Sequence, residues 1–268
     1  MHISTYKINE FRDKEVYDVA MEQLRVVAPE IYKVEALGMW GNTTEAVYPE
    51  MTDDLIISRA QANTMRYACY TIGIDTGLSN GEGRVKSGKD VKIRSATTMQ
   101  LVGITQDYSK VVCINEFFYA NENQMVKTTE PELMVEIIQT IKKWKDQYIQ
   151  HQDLMKGTIL VYVDCADIGF RQGIELEARK QGLYNVHFEG STKIRIQTRV
   201  DFIRLIMSFG EYLISEACPN LIREHKNSRR GENGRCREDL DDHALNASEY
   251  AWTPIIPRLK RWKTFKER

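Results

Sequence analysis

Asp75, Asp164 and the run Asp239-Leu240-Asp241-Asp242-His243 are the residues of this chain whose types and spacing could do chemistry together. Asp75 ends the stretch Tyr70-Thr71-Ile72-Gly73-Ile74 and is followed at once by Thr76 and Gly77, while Asp164 ends the apolar run from Thr158 to Val163. Open α/β sheets gather side chains at the C-terminal ends of their strands, so the two acids meet if their strands are neighbours. Two carboxylates that close repel, and one takes up a proton unless a divalent cation bridges them. Oxygen-only ligands suit Mg²⁺ or Mn²⁺ and not zinc. A third acid, Asp241 or Asp242, completes a site for two ions, one activating a water and the other stabilising the leaving oxygen of a phosphodiester. His243 then contacts the scissile phosphate or assists proton transfer. The chemistry expected is metal-dependent cleavage of a nucleic acid.

Each acid also has a plainer reading. A strand-end Asp is often a turn or cap residue, and Asp241 or Asp242 at a helix start is an ordinary N-cap. Asp167 either supports the ligands or caps a helix beginning at Ile168. Three such positions on three separate elements favour the metal site. Lys226, Arg229, Arg230, Arg235 and Arg237 precede the acidic helix in a Gly- and Asn-containing segment, which reads either as a solvated loop or as a flap contacting DNA phosphates. Gly77-Leu78-Ser79-Asn80-Gly81-Glu82-Gly83 lacks the Gly-Lys-Ser/Thr ending of a nucleotide-binding loop, so ATP binding there is rejected.

The elements that must position these residues follow from periodicity. Tyr70 to Asp75 reads as a buried strand and Gly77 to Arg94 as a polar loop. Thr98 to Thr105 and Lys110 to Phe118 form a hairpin around Gln106-Asp107-Tyr108-Ser109. Glu130 to Gln150 has the 3-4 apolar spacing of an amphipathic helix with Pro131 in its first turn. Thr158 to Val163 is a strand central in the sheet, Ile168 to Gln181 a helix closed by Gly182, and Tyr184 to Phe188 a strand. Lys193 to Phe209 is a second amphipathic helix, Tyr212 to Ser215 a short strand, and Leu240 to Trp252 the closing helix. Strands first, then helices alternating with strands, predict an α/β fold: a mixed β-sheet flanked by helices on both faces. Residues 1–60, with a helix over Lys14 to Ala28, read as a connector ahead of a domain over 61–268.

The 268 residues are 42% hydrophobic and 28% charged, with a net charge of -1, a composition that fits a globular chain and confines any basic surface to patches. No apolar run reaches the roughly 20 residues of a spanning helix, and Met1 to Lys14 has no apolar signal core. An intracellular protein is expected. Five scattered cysteines without CxxC spacing point to free thiols, not a zinc site or disulfide framework.

The motifs Ile72-Gly73-Ile74-Asp75-Thr76-Gly77, Val161-Tyr162-Val163-Asp164-Cys165-Ala166-Asp167 and Asp241-Asp242-His243-Ala244-Leu245-Asn246-Ala247-Ser248-Glu249-Tyr250-Ala251 resemble the C-terminal nuclease part of the tailed-phage terminase large subunit, the DNA-packaging motor protein. His2 to Asn9 and Leu37 to Pro49 look like the end of that family's ATPase domain and its linker. The resemblance implies an RNase H-like fold and a two-metal endonuclease that cuts concatemeric double-stranded viral DNA during genome packaging. It further implies Asp75 and Asp164 as metal ligands, two Mg²⁺ or Mn²⁺ ions, and the cytoplasm of an infected bacterium as location. Its partners would be the terminase ATPase domain, the small terminase subunit and the portal. Similar sequences read Asp-His-x-x-Asp-Ala in the last helix, and the second Asp falls here on Asn246. Asp242, four residues earlier, is expected to supply the third carboxylate with Asn246 as a neutral auxiliary ligand. No Walker-type loop occurs in the chain, so the motor is either cut away or a separate polypeptide. The alternatives are a non-catalytic DNA-binding or motor-docking module, and another RNase H-like enzyme such as a Holliday-junction resolvase.

Overall fold

The computed structural model describes residues 46–77, 96–120, 128–149, 158–230 and 242–266, together with Asp18, Val19, Met21, Tyr32 and Ala36. The chain divides into two compact units, Met1–Ala46 and Val47–Arg268. In the first, Asp18, Val19, Met21 and Tyr32 are helical and the Ala36 N–H donates to the Tyr32 carbonyl at 2.9 Å. The rest of the expected helix over Lys14 to Ala28, and the loop from Leu78 to Arg94, lie outside the described residues.

The second unit is an α/β layer structure on one sheet. Its strands are β1 (Ile56–Ile57), β2 (Tyr67–Asp75), β3 (Ala96–Thr105), β4 (Val111–Ala120), β5 (Ile159–Val163), β6 (Val186–Gly190) and β7 (Tyr212–Ser215), in the order β1-β7-β4-β3-β2-β5-β6. β3 runs antiparallel to its neighbours β2 and β4, and every other pairing is parallel. Because β3 and most of β2 are buried along their length, both faces are covered, as near-continuous apolar strands require. Residues 47–60, grouped above with the connector, contribute Val47, Tyr48, Leu55 and Ile57 to this unit's core and β1 to its sheet.

The helices are α1 (Arg59–Thr64), α2 (Glu130–Trp144), α3 (Ile168–Lys180), α4 (Ile196–Ser208), α5 (Pro219–Asn227), α6 (His243–Trp252) and α7 (Lys260–Lys266). α2 starts at a capping box in which Thr129 and Glu132 satisfy each other's backbone N–H groups, and it buries Leu133, Met134, Ile137, Ile138, Ile141 and Trp144, each worth about 1.5–3 kcal/mol of burial. Where the periodicity predicted continuous helix, it passes into a π-helical turn at Lys145–Ile149; Gln150 lies outside the described residues. Gly182 follows α3 with φ of 74°, the left-handed turn that Gly takes without strain. β6 begins two residues later than expected, at Val186, past the exposed Tyr184. α4 is shorter than its apolar periodicity suggested, starting at Ile196 rather than Lys193. α5 was not anticipated: its sequence is mostly polar, and Glu116 on β4 caps it by accepting the Asn220 N–H at 2.8 Å and the Leu221 N–H at 3.1 Å.

Candidate active site

β2 and β5 are parallel neighbours with Ile74 opposite Val163, so Asp75 and Asp164 leave the sheet side by side at its C-terminal edge. The Asp164 N–H donates to the Ile74 carbonyl at 3.1 Å, fixing that register. Side chains alternate along a strand, which puts Asp75 on the same face as Gly73. That face is covered by α6. A Cβ built on Gly73 would lie 1.9 Å from the Ala247 carbonyl oxygen and 2.6 Å from the Ala251 nitrogen, so glycine is what lets the helix backbone rest on the strand.

α6 in turn presents His243, Asn246 and Tyr250 at spacings of three and four, one stripe of a helix. The His243 Nδ1 and Asp75 Oδ2 are 2.8 Å apart, and the Tyr250 hydroxyl donates to Asp164 Oδ2 at 3.4 Å. Asn246 sits between them, half-buried. Thr98, paired with Asp75 across the β2–β3 ladder, donates its hydroxyl to the His243 carbonyl at 2.8 Å and ties the helix start to the sheet.

Asp75 is buried, and burial raises its carboxyl above the usual carboxylate range. The hydrogen bond and the charge of His243 oppose this, while Asp242 and Asp164 push further up. Burial likewise raises the Tyr250 phenol, which therefore stays a neutral donor. Asp164 is half-buried and its Oδ1 also accepts the Ala166 N–H at 3.0 Å.

Asp242 occupies the N-cap position of α6 but makes no side-chain capping bond. The N–H of Leu245, the third helical residue, is instead accepted by Glu224 Oε2 of α5 at 2.9 Å. The cap reading holds better for Asp167: its Oδ1 accepts the Phe170 N–H at 3.0 Å at the start of α3, and its Oδ2 accepts the Thr76 hydroxyl at 2.9 Å. Of the basic candidates, Lys226 pairs with Asp53 at 2.6 Å and Arg229 donates to the Lys226 and Ser228 carbonyls at the end of α5. Arg230 is half-buried. Asp241, Arg235 and Arg237 lie outside the described residues.

Among the described residues no group of three or more His, Cys, Asp or Glu stands ready to hold a metal ion. The donors that do converge are hard oxygens: the buried Asp75 carboxylate crowded by two like charges, Asp164 beside it, and the amide of Asn246 on the facing stripe. That set suits a small hard cation. Tyr250, Thr98 and Glu224 escaped the sequence reading. Tyr250 had a signal, standing seven residues after His243 and so on its helical face. The capping role of Glu224 had none.

Neither a protein-family model nor a curated protein sequence matches the chain. Among solved structures it is similar to the large terminase of a thermophilic bacteriophage, at 17% identity and a TM-score of 0.55 over 94% of this chain and 54% of that one. It is also similar to the nuclease domain of the P22 large terminase, at 11% identity and a TM-score of 0.51 over 81% of this chain and 95% of that domain. The chain thus spans about half the length of the thermophilic phage's terminase. The fold is RNase H-like, a mixed sheet with flanking helices shared with the nuclease part of large terminases.

Proposed function

We propose that this chain is a divalent-metal-dependent endonuclease of the terminase type, acting on double-stranded phage DNA during genome packaging. The observation that supports it most is the placement of Asp75 and Asp164 at adjacent parallel strand ends, faced by one stripe of α6, on a fold shared with a terminase nuclease domain. Asp75, Asp164 and Asn246, with Asp242 at the mouth, would hold Mg²⁺ or Mn²⁺. When bound there, two such ions activate a water and stabilise the leaving oxygen of a phosphodiester.

The chain's own residues do the rest. His243 holds Asp75 by one oxygen, leaving Oδ1 for a ligand role, and its positive form offsets the crowding of three carboxylates. Tyr250 orients Asp164 by donating a proton it does not lose. Glu224 accepts the Leu245 N–H at the α6 N-terminus, where Asp242 makes no side-chain capping bond. By the same resemblance, the chain ahead of Val47 is the end of an ATPase domain and its linker, while residues 47–60 belong to the nuclease unit; from the residues themselves, Asp241 and Asp167 would support the ligands and Arg230, Arg235 and Arg237 would contact DNA phosphates. The ATPase domain, the small subunit and the portal are the partners, in the cytoplasm of the infected host.

The test is nicking and linearisation of supercoiled plasmid in Mn²⁺, Mg²⁺ and chelator. The wild-type chain is expected to cut in either metal and not in chelator, and Asp75→Ala to lose at least about 100-fold in rate. Asn246→Asp is expected to lower the metal concentration needed. The neutral Asn246 also favours a second reading, a DNA-binding module without catalysis. Silence of the wild type and of Asn246→Asp alike would end the first reading, and duplex binding by the silent chain would establish the second.

A further inference from the structure

Of the basic residues named from the sequence, Lys226 and Arg229 are engaged within the fold, yet a different set stands at the sheet edge that carries the acids. Gly190, the last residue of β6, is paired with Val163. A Cβ on Gly190 would come within 2.6 Å of Arg171 Nη1 and 3.5 Å of the Cys165 Cβ, so the guanidinium from the first turn of α3 lies across the end of β6 beside the residue that follows Asp164. The ledge beneath it is fixed by the backbone: Ser191 N–H donates to the Val163 carbonyl at 2.7 Å, and Cys165 N–H donates to Ser191 Oγ at 3.2 Å. Past Ser191 the segment to α4 exposes Lys193 and Arg195. Among the described residues none of Arg171, Lys193 and Arg195 makes an ion pair.

Resting on the nuclease reading, we propose that Arg171, Lys193 and Arg195 form a phosphate-binding ledge that carries one strand of duplex DNA away from the carboxylates, along the C-terminal edge of the sheet. Register decides the geometry. Gly73 and Asp75 face α6, so Ile74, Val163 and Gly190 face the opposite side, from which Arg171 arrives. A strand lying along the edge therefore has the acids on one flank and the guanidinium on the other. From β2 to β6 is two strand spacings, about 10 Å, and a nucleic-acid strand advances about 3.4 Å along its axis per phosphate. The ledge thus meets the backbone about three phosphates from the one at Asp75. Guanidinium and ammonium groups so placed read charge and not base sequence, which suits an enzyme that must cut wherever it is delivered.

The experiment is binding of a fluorescent duplex to the full chain in chelator, followed by anisotropy between about 50 and 200 mM salt. Replacing all three residues with Ala is expected to weaken binding at least about tenfold at low salt and to lower the salt slope by about 2 to 3, equally for unrelated sequences. The charge-retaining variant Arg171→Lys/Lys193→Arg/Arg195→Lys should keep the wild-type slope. Gly190→Ala keeps every charge but obliges the Arg171 head group to move, so it should lose part of the affinity with an unchanged melting temperature. Unaltered affinity and slope in the triple Ala variant, in a wild type that binds and cuts, would overturn the ledge alone. Absence of any duplex binding by the wild type would overturn the nuclease reading as well.

Discussion

Gly73→Ala probes the contact on which the site's geometry depends. The added methyl would sit 1.9 Å from the Ala247 carbonyl oxygen and 2.6 Å from the Ala251 nitrogen. Both are helix backbone, so no side-chain rotation relieves them, and α6 must move off β2 by roughly 1 to 1.5 Å to restore ordinary contact. Overpacking of this kind costs about 1–3 kcal/mol, and the rigid partners place Gly73→Ala at the upper end. In a unit of this size that lowers Tm by about 6–12 °C. The same movement carries His243 away from Asp75 and Tyr250 away from Asp164, and a misplacement of about 1 Å costs about 100-fold in catalysis. The assays are thermal melting and plasmid cleavage in Mn²⁺ well below the variant's Tm. Gly182→Ala is the control: it strains a positive φ in open space and should lower Tm modestly while leaving the specific cleavage rate intact. A Gly73→Ala chain with wild-type melting and cleavage would refute the packing argument.

Two further outcomes follow from the buried charges. Arg199 of α4 pairs with the fully buried Glu249 of α6, and Arg199→Met should cost about 3 kcal/mol or more in chemical denaturation, since it strips a buried carboxylate of its cation. Retention of full stability would show that pair to be dispensable. Glu224 is raised by burial to about 8, with Asp242 adding to the rise and the Leu245 N–H, His243 and Arg223 opposing it. A raised acid favours folding while protonated, so its contribution is complete below about pH 4.5 and is lost as pH climbs from there through 8, on the order of 5 kcal/mol by pH 9. Glu224→Gln should therefore match the wild type at pH 5 and exceed it in stability at pH 9. Parallel pH profiles of the two in denaturant titrations would contradict this.

The sheet's strands were legible because β2, β3, β4 and β5 are long apolar or β-branched runs, and the hairpin turn at Gln106 to Ser109 is polar on both sides of its apex. α5 was not legible, since it is held by the Glu116 carboxylate at its N-terminus and by Leu221 alone among its fully buried apolar side chains. β1, only Ile56–Ile57, was too short for any period to register. Strand-end position singled out Asp75 and Asp164, and the β2–β5 register supplies the adjacency that the sequence left as a condition. The motif at 241–251 led to α6, but which of its residues face the carboxylates is a matter of helical phase: His243, Asn246 and Tyr250 share the stripe, while Asp242 stands at the cap. Charge runs were the weakest guide. Lys226 and Arg229 looked like a DNA contact in sequence and are bound up with Asp53 and the end of α5, whereas Arg171 is an ordinary helical arginine until the fold brings it over Gly190.

The most direct measurement is the rate of plasmid cleavage as a function of Mn²⁺ concentration for the wild type and for Asp75→Asn and Asp164→Asn, with melting curves taken alongside. If the two strand-end carboxylates hold the catalytic cations, both variants melt like the wild type and either fail to cut or require at least about tenfold more Mn²⁺ to do so. Cleavage by both variants at the wild-type rate and the wild-type Mn²⁺ requirement would place the chemistry elsewhere or show that it does not belong to this chain.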